Sequence, residues 1–151
     1  MPVDVQVLGR AVKQAQQRKH RMLDSRLADV GTTLSQWDAL RAISRSPGAS
    51  ARALAAETFQ SEQAFGTLAG RLTAQNLIDR RRGRGRSIEH HLTPAGEKVL
   101  AAGHAVAADV LSEIFAPLSE QERATLLDLL LRISRPAFER ELAEHARERP
   151  S

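Results

Sequence analysis

The sequence contains no cysteine. Disulfides, thiolate metal sites and thiol-based redox sensing are therefore excluded. Tyrosine is absent as well, and aromatic residues make up only 3% of the chain, so the apolar content of 42% rests on Leu, Ala, Val and Ile, a mixture suited to helices. No run of about 18 apolar residues occurs, as a membrane span would require. Met1 to Arg10 lacks the basic-then-apolar order of a secretion signal. The expectation is a cytoplasmic protein with no membrane partner. Phosphate-loop and dinucleotide fingerprints are missing too. The five histidines, His20, His90, His91, His104 and His145, fall on different elements. His90 and His91, adjacent on a strand, would point to opposite faces. Without a convergent nucleophile, base and orienting group, the chain reads as a non-enzyme that needs no cofactor.

What is present is a local excess of positive charge. The net charge is +4. Between Arg80 and Thr93, Arg80, Arg81, Arg82, Arg84 and Arg86 face the single acid Glu89, so this segment carries the whole excess. Such a cluster is the footprint of a polyanion, most often nucleic acid, although a solvated surface loop can look the same.

Apolar residues at three- and four-residue steps (Leu8, Ala11, Val12, Ala15, then Leu23, Leu27, Val30) predict a helix over 5–30 that ends at Gly31. A second helix opens near Ser35, turns Trp37, Leu40 and Ile43 inward, and stops at Pro47-Gly48. Ser50 is positioned to cap a short helix over 51–58, Phe59-Gln60 breaks it, and Ser61 caps the next, which runs to about Asn76. Two short helices joined this tightly form a helix-turn-helix.

In the Ser61 helix, Phe65, Leu68, Ala69 and Leu72 share one face. Gln63, Thr67 and Gly70 fall opposite, flanked by Gly66 and Arg71. That face is small or hydrogen-bonding. Two glycines inside a helix cost about 1 kcal/mol each relative to Ala, which close approach to a groove, or to a neighbouring helix, would explain. Beyond Asn76, a candidate left-handed C-cap, Gly83 and Gly85 permit a turn between two short strands, a basic hairpin with its arginines projecting from the tip.

Thr93-Pro94 starts a new helix with Val99, Val106 and Val110 on one stripe and Leu100, Ala107, Leu111 and Ile114 on another, broken at Pro117. Ser119 and Glu122 form a capping box for the last helix. There Leu126, Leu130, Ile133 and Ala137 make one stripe, and Leu127, Leu131, Phe138 and Leu142 another. That apolar surface is wide enough to meet both its own chain and a partner copy, or to be buried as a long helix within one chain.

In order and spacing, the chain resembles the MarR family of bacterial winged helix-turn-helix regulators over nearly its whole length. The segment Leu34-Ser35-Gln36-Trp37-Asp38-Ala39-Leu40-Arg41-Ala42-Ile43 is similar to the family's second helix. Leu54-Ala55, Ser61, Phe65, Leu68, Arg71-Leu72 and Leu77-Ile78 keep its register through the two DNA-binding helices. Leu92-Thr93-Pro94-Ala95-Gly96 resembles the strand-to-helix signature after the wing, and Leu118 to Arg123 the start of a dimerisation helix. The chain departs from the pattern at Phe59 and Asn76, where Gly is usual, and at Gln60, where an apolar residue is common. Its wing is about two residues shorter, and Arg84 replaces the acid of the family's Asp-x-Arg motif while Arg86 matches the arginine. The wing is therefore more basic, and the acidic partner of its bracing salt bridge is missing.

The resemblance implies a mainly α fold with a small β wing: a winged helix-turn-helix DNA-binding region over 34–93, and a helical dimerisation lobe from 5–30 and 94–148, within one unit of 1–151. It implies a homodimer on the two halves of a pseudo-palindromic operator, acting as a transcriptional repressor. Gln63, Thr67 and Arg71, flanked by Gly66 and Gly70, suit base edges in the major groove. Ser50, Arg52 and Ser61 suit phosphates at helix N-termini. Arg84 and Arg86 suit the minor groove or backbone, and Arg80, Arg81 and Arg82 phosphate neutralisation. A small aromatic or anionic effector would sit near His20, Arg21, Trp37 and Arg41, with Trp37 as a plain core residue the alternative. Other readings are a winged-helix protein-interaction module that never touches DNA, and a metal sensor built on His104 and carboxylates.

Overall fold

The computed structural model describes residues 1–134. The element order is α1 Val5–Ala28, α2 Leu34–Arg45, α3 Ala51–Glu57, α4 Glu62–Ala74, β1 Ile78–Arg82, β2 Ile88–Leu92, α5 Pro94–Phe115 and α6 Glu120–Ile133. The mainly helical class with a two-stranded wing is as expected. Each predicted helix is present, and the boundaries move inward at the ends: α1 stops at Ala28 rather than Val30, and α4 at Ala74. In both places the chain curls into a left-handed residue, Gly31 at φ 80° and Asn76 at φ 59°, so the last carbonyls of each helix find donors beyond it. Contacts divide the chain into two units, Met1–Leu111 and the residues from Ser112 onward.

In the first unit the starts are fixed by side-chain caps. Asp4, Thr33, Ser50 and Ser61 accept from Gln6, Gln36, Ala53 and Ala64 N–H respectively. Only Leu23 and Leu27 of α1 are buried, and the Asp24 carboxylate accepts the Leu34 N–H at 2.9 Å, tying the end of α1 to the start of α2. The largest fully buried side chains are Leu27, Leu40, Ile43, Leu54, Phe65, Leu72, Ile78 and Val110, each stabilising the fold by about 1.5–3 kcal/mol. On α5 the inward residues are Gly96, Leu100, Gly103, Ala107 and Val110. The two predicted stripes thus merge into one face carrying two glycines. Both glycines are demanded by neighbours: a methyl at Gly96 would collide with the Leu77 carbonyl, and one at Gly103 with the Trp37 indole.

The second unit contains α6. Its capping box is formed as expected, with Ser119 Oγ accepting the Glu122 N–H at 3.1 Å and the Glu122 carboxylate accepting the Ser119 N–H at 3.0 Å. Those bonds favour the ionised carboxylate and hold Glu122 below the usual carboxylate range. None of the α6 residues is buried, and Leu127, Leu129, Leu130 and Ile133 are exposed. The expected continuation through Ala137, Phe138 and Leu142, and His145 beyond it, lie outside the described residues. Among the described residues no single helix is long and apolar enough to cross a membrane.

Candidate nucleic-acid interface

The helix-turn-helix is α3 and α4, and α4 buries Phe65, Leu68, Ala69 and Leu72, the face expected from periodicity. Gln63, Thr67 and Arg71 are exposed one turn apart along the opposite side. Thr67 Oγ1 donates to the Gln63 carbonyl at 3.2 Å, so its methyl and an acceptor lone pair are what it offers outward. Gly66 and Gly70 do not seat a neighbouring helix: a methyl at Gly66 would meet nothing within 4 Å, and one at Gly70 only the Arg80 Nη2 at 3.9 Å. Ser50 and Ser61 use their oxygens as caps, which leaves each hydroxyl proton free to be donated, for example to a phosphate. Arg52 is exposed on α3.

The strands pair antiparallel, with Ile78 opposite Leu92, Arg80 opposite His90 and Arg82 opposite Ile88. Because faces alternate along a strand, Ile78, Arg80 and Arg82 share a face with His90, and Asp79 and Arg81 share the other with Glu89 and His91. This corrects the expectation that all five arginines project from the tip. Arg80, Arg81 and Arg82 belong to β1, and only Arg84 and Arg86 stand at the turn. Arg80 instead reaches α4, where its Nη2 donates to the Gly66 carbonyl at 2.9 Å. Arg81 lies 3.6 Å from Asp79.

His90 and His91 do point to opposite faces. His90 is 2% exposed, edge-on to Phe65 at 5.9 Å between centroids. Its Nδ1 is 2.9 Å from the Ala49 carbonyl; a carbonyl only accepts, so Nδ1 carries the proton. Burial lowers its pKa and prevails over the raising effect of the Ala49 bond, with smaller lowering contributions from Arg80 and His91. The residue also joins the hairpin to the α3 approach through its backbone, since Gly48 N–H donates to the His90 carbonyl and His90 N–H to the Ala49 carbonyl.

Other residues matter here that sequence reasoning passed over. Glu89 and Ser87 pack under the tip, where a methyl on Gly83 would strike both side chains, and Ser87 Oγ donates to the Arg84 carbonyl at 2.8 Å. Ser87 thereby closes the turn, while the Glu89 carboxylate lies 3.0 Å from His91 Nε2. Thr93 Oγ1 donates to the Asn76 carbonyl at 2.7 Å and accepts the Gly96 N–H at 3.0 Å, clamping the end of α4 to the start of α5. A threonine directly before a helical proline was the available signal, as an N-cap.

Of the four candidate effector residues, Trp37 and Arg41 touch each other. Trp37 is 4% exposed and its Nε1 donates to the Leu100 carbonyl at 3.3 Å. Arg41 stacks 4.5 Å over its ring and pairs with Asp38 at 3.2 Å. His20 and Arg21 lie exposed on α1, and the contacts of that pair do not include them. His104 meets the Trp37 ring edge-on at 5.4 Å, and burial followed by the Arg41 charge lowers its pKa. Among the described residues no group of three His, Asp or Glu side chains could hold a metal ion.

A cap-to-cap helix pair, an outward polar row on its second helix and a basic hairpin fastened beside that row define a winged helix-turn-helix. Known proteins share this architecture. The MarR family profile matches residues 30–86. A probable transcriptional regulator from Pseudomonas aeruginosa is 31% identical, with a TM-score of 0.75, over 83% of this chain and 95% of that one. Escherichia coli MarR, in a mutant form complexed with operator DNA, is 23% identical with a TM-score of 0.79 over 84% and 93% of the two chains. A Mycobacterium tuberculosis MarR family protein in complex with salicylic acid is 24% identical with a TM-score of 0.70 over 84% and 96%. Among curated proteins none matches. The chain belongs to the MarR family. It is a DNA-binding transcriptional regulator and not an enzyme.

Proposed function

We propose that this regulator is a cytoplasmic repressor that binds a pseudo-palindromic operator as a homodimer and is released by a small aromatic or anionic compound. One observation carries the reading: the Gln63, Thr67, Arg71 row and the arginine hairpin form a continuous surface, because Arg80 fastens β1 to α4. Gln63 suits adenine and Arg71 guanine. Ser50, Arg52 and Ser61 address phosphates, Arg84 and Arg86 the minor groove, and Arg81 and Arg82 the flanking backbone. The operator DNA held by the E. coli relative supports DNA as the partner of this surface.

Dimerisation is supported by apolar side chains that stand exposed among the described residues. Val5, Val7, Leu8 and Val12 are exposed on α1, and Leu127, Leu129, Leu130 and Ile133 on α6. Two copies covering these helices would give a symmetric interface. Each copy would then meet one half-site, the two about 34–36 Å apart or a multiple of that. For release, Arg41 and Arg21 are the cations that an aromatic carboxylate would need, with Trp37 and His20 as the ring side chains of the same proposed site. The salicylic acid bound by the M. tuberculosis relative supports this choice of ligand class.

Selecting binding sites from random duplex DNA tests the proposal. The recovered motif should be an inverted repeat, and salicylate should reduce its retention. Retention without any motif would defeat operator recognition, and a single half-site would defeat the dimer.

A further inference from the structure

The turn between α3 and α4 is closed by two backbone hydrogen bonds, Gln60 N–H to the Ala55 carbonyl at 2.9 Å and Phe59 N–H to the Ala56 carbonyl at 3.3 Å. This closure demands a left-handed residue at its centre, and Phe59 supplies it at φ 57°. The ends of α1 and α4 are followed by Gly31 and Asn76 in the same conformation, residue types that adopt it with little penalty. Phe59 is the bulky exception, its Cβ crowded against the following carbonyl.

Among the described residues no side-chain packing offsets that strain, because Phe59 is 88% exposed. The position therefore carries two penalties, a strained backbone and a hydrated aromatic ring. Glycine would remove both. A residue kept at such a disadvantage in the free chain needs a surface that covers it in the working state.

The location indicates which surface. Two residues on, Ser61 caps α4. When a recognition helix enters the major groove by its N-terminus, the turn before it runs beside the sugar-phosphate strand at the lip of the groove. The exposed neighbours are Ala56, Ser61, Glu62 and Gln63, small or polar. A protein partner would need a contiguous patch burying on the order of 1,000 Å² in total, which one ring among polar residues does not provide. Duplex DNA, by contrast, presents isolated apolar features at that lip: the thymine methyl and the faces of deoxyribose.

We propose that Phe59 is a specificity-determining contact, its ring placed by the strained turn against a thymine methyl at the edge of the major groove, the one of these features that varies with sequence. The proposal rests on the reading of this chain as a sequence-specific DNA binder, and it fails separately from that reading.

The test compares the full-length parent with Phe59→Gly, Phe59→Asn and Phe59→Leu on the duplex motif selected by the parent and on a scrambled duplex. Phe59→Gly and Phe59→Asn should melt higher than the parent, yet bind the selected motif about tenfold more weakly, the factor that 1.4 kcal/mol represents. Scrambled-duplex binding should not change. Phe59→Leu should keep most of the preference. Replacing thymines by uracil one at a time then locates the partner: one replacement should weaken the parent and leave Phe59→Gly indifferent, whereas silence of all replacements would mean that the ring reads no base and would overturn the proposal. Parent-like binding of the selected motif by Phe59→Gly or Phe59→Asn overturns the proposal, as does a lower melting temperature in both, which would mean that the ring is packed on its own chain. If the parent prefers no duplex at all, the DNA-binding reading itself falls before the variants are compared.

Discussion

The guanidinium of Arg80, carried on β1, donates a 2.9 Å hydrogen bond to the main-chain carbonyl of Gly66 in the middle of α4. Within a helix that carbonyl already accepts from the residue four positions on, so it serves two donors. A methyl on Gly66 would meet nothing within 4 Å and one on Gly70 only the Arg80 Nη2 at 3.9 Å, an ordinary contact, so the guanidinium reaches this carbonyl without requiring either glycine. The Arg80–Gly66 hydrogen bond thus ties the hairpin to the helix that carries the outward row.

Arg80 and Arg82 therefore separate by their effects. Each Ala substitution removes one positive charge from the same strand face, and each phosphate left without its cation lowers the salt dependence of binding by about 0.9. Arg82→Ala should weaken selected and random duplexes alike. Arg80→Ala should also loosen the hairpin from α4, and its preference for the selected motif over random DNA should fall about tenfold, or 1.4 kcal/mol. Titrations of both duplexes at several salt concentrations decide it, and identical behaviour of the two variants would remove the positioning role.

Gly103 tests the packing of the only tryptophan, Trp37. A methyl on Gly103 would collide with the indole, whose other side carries Arg41 at 4.5 Å. Overpacking of this kind costs about 1–3 kcal/mol. Gly103→Ala should therefore lower the denaturation midpoint and shift Trp37 emission to longer wavelength as the ring is pushed toward water. An unchanged midpoint with unchanged emission would mean that α5 yields at no cost.

Much of this arrangement was legible in the chain because its cause is local. Ser50, Ser61 and Ser119 announce helix starts by the chemistry of capping, and the buried face of α4 follows from the spacing of Phe65, Leu68, Ala69 and Leu72. Gly31 and Asn76 mark helix ends through the backbone conformation they tolerate. What stayed hidden depends on residues far apart in sequence. Nothing near Gly66 indicates that Arg80 lies over it, and Gly103 looks ordinary until Trp37 is set against it. The arginine cluster revealed the charge but not its division, since a strand alternates faces and only the pairing register shows which face meets α4. Phe59 hides differently: an aromatic residue after a short helix suggests burial, and only the closure of the turn directs it outward.

Acid should destabilise the hairpin through His90. Its folded-state pKa lies below the ordinary value of 6.5, chiefly because burial disfavours the cation. The unfolded chain therefore binds a proton more readily than the folded one. The contribution to stability is complete above about 6.5 and is lost as pH falls from there toward the lower folded value. His104 shifts in the same direction, so both act over that window. Melting temperature should drop between about pH 7 and pH 5.5, and His90→Asn, which can keep a donor toward the Ala49 carbonyl without titrating there, should start lower but fall less. A parent whose melting temperature is flat over that range would contradict the burial of neutral His90.

Gln63 and Arg86 distinguish base reading from charge. Gln63 is exposed at the start of the α4 row, with an amide able to donate and accept at once, as the N7 and amino group of adenine require. Arg86 stands at the hairpin turn beside Gly85, whose φ of 70° bends the chain there, and its role is electrostatic attraction to the narrow groove or its phosphates. Gln63→Ala should relax preference at one base pair per half-site, costing about 1–3 kcal/mol on the best motif and nothing on random DNA. Arg86→Ala should weaken both by a similar factor and flatten the salt dependence by about 0.9. Repeating site selection with each variant is the decisive measurement. If the Gln63→Ala motif is identical to the parent motif at every position, α4 does not read bases through this residue. If Arg86→Ala leaves the salt slope untouched, the wing tip does not touch the polyanion.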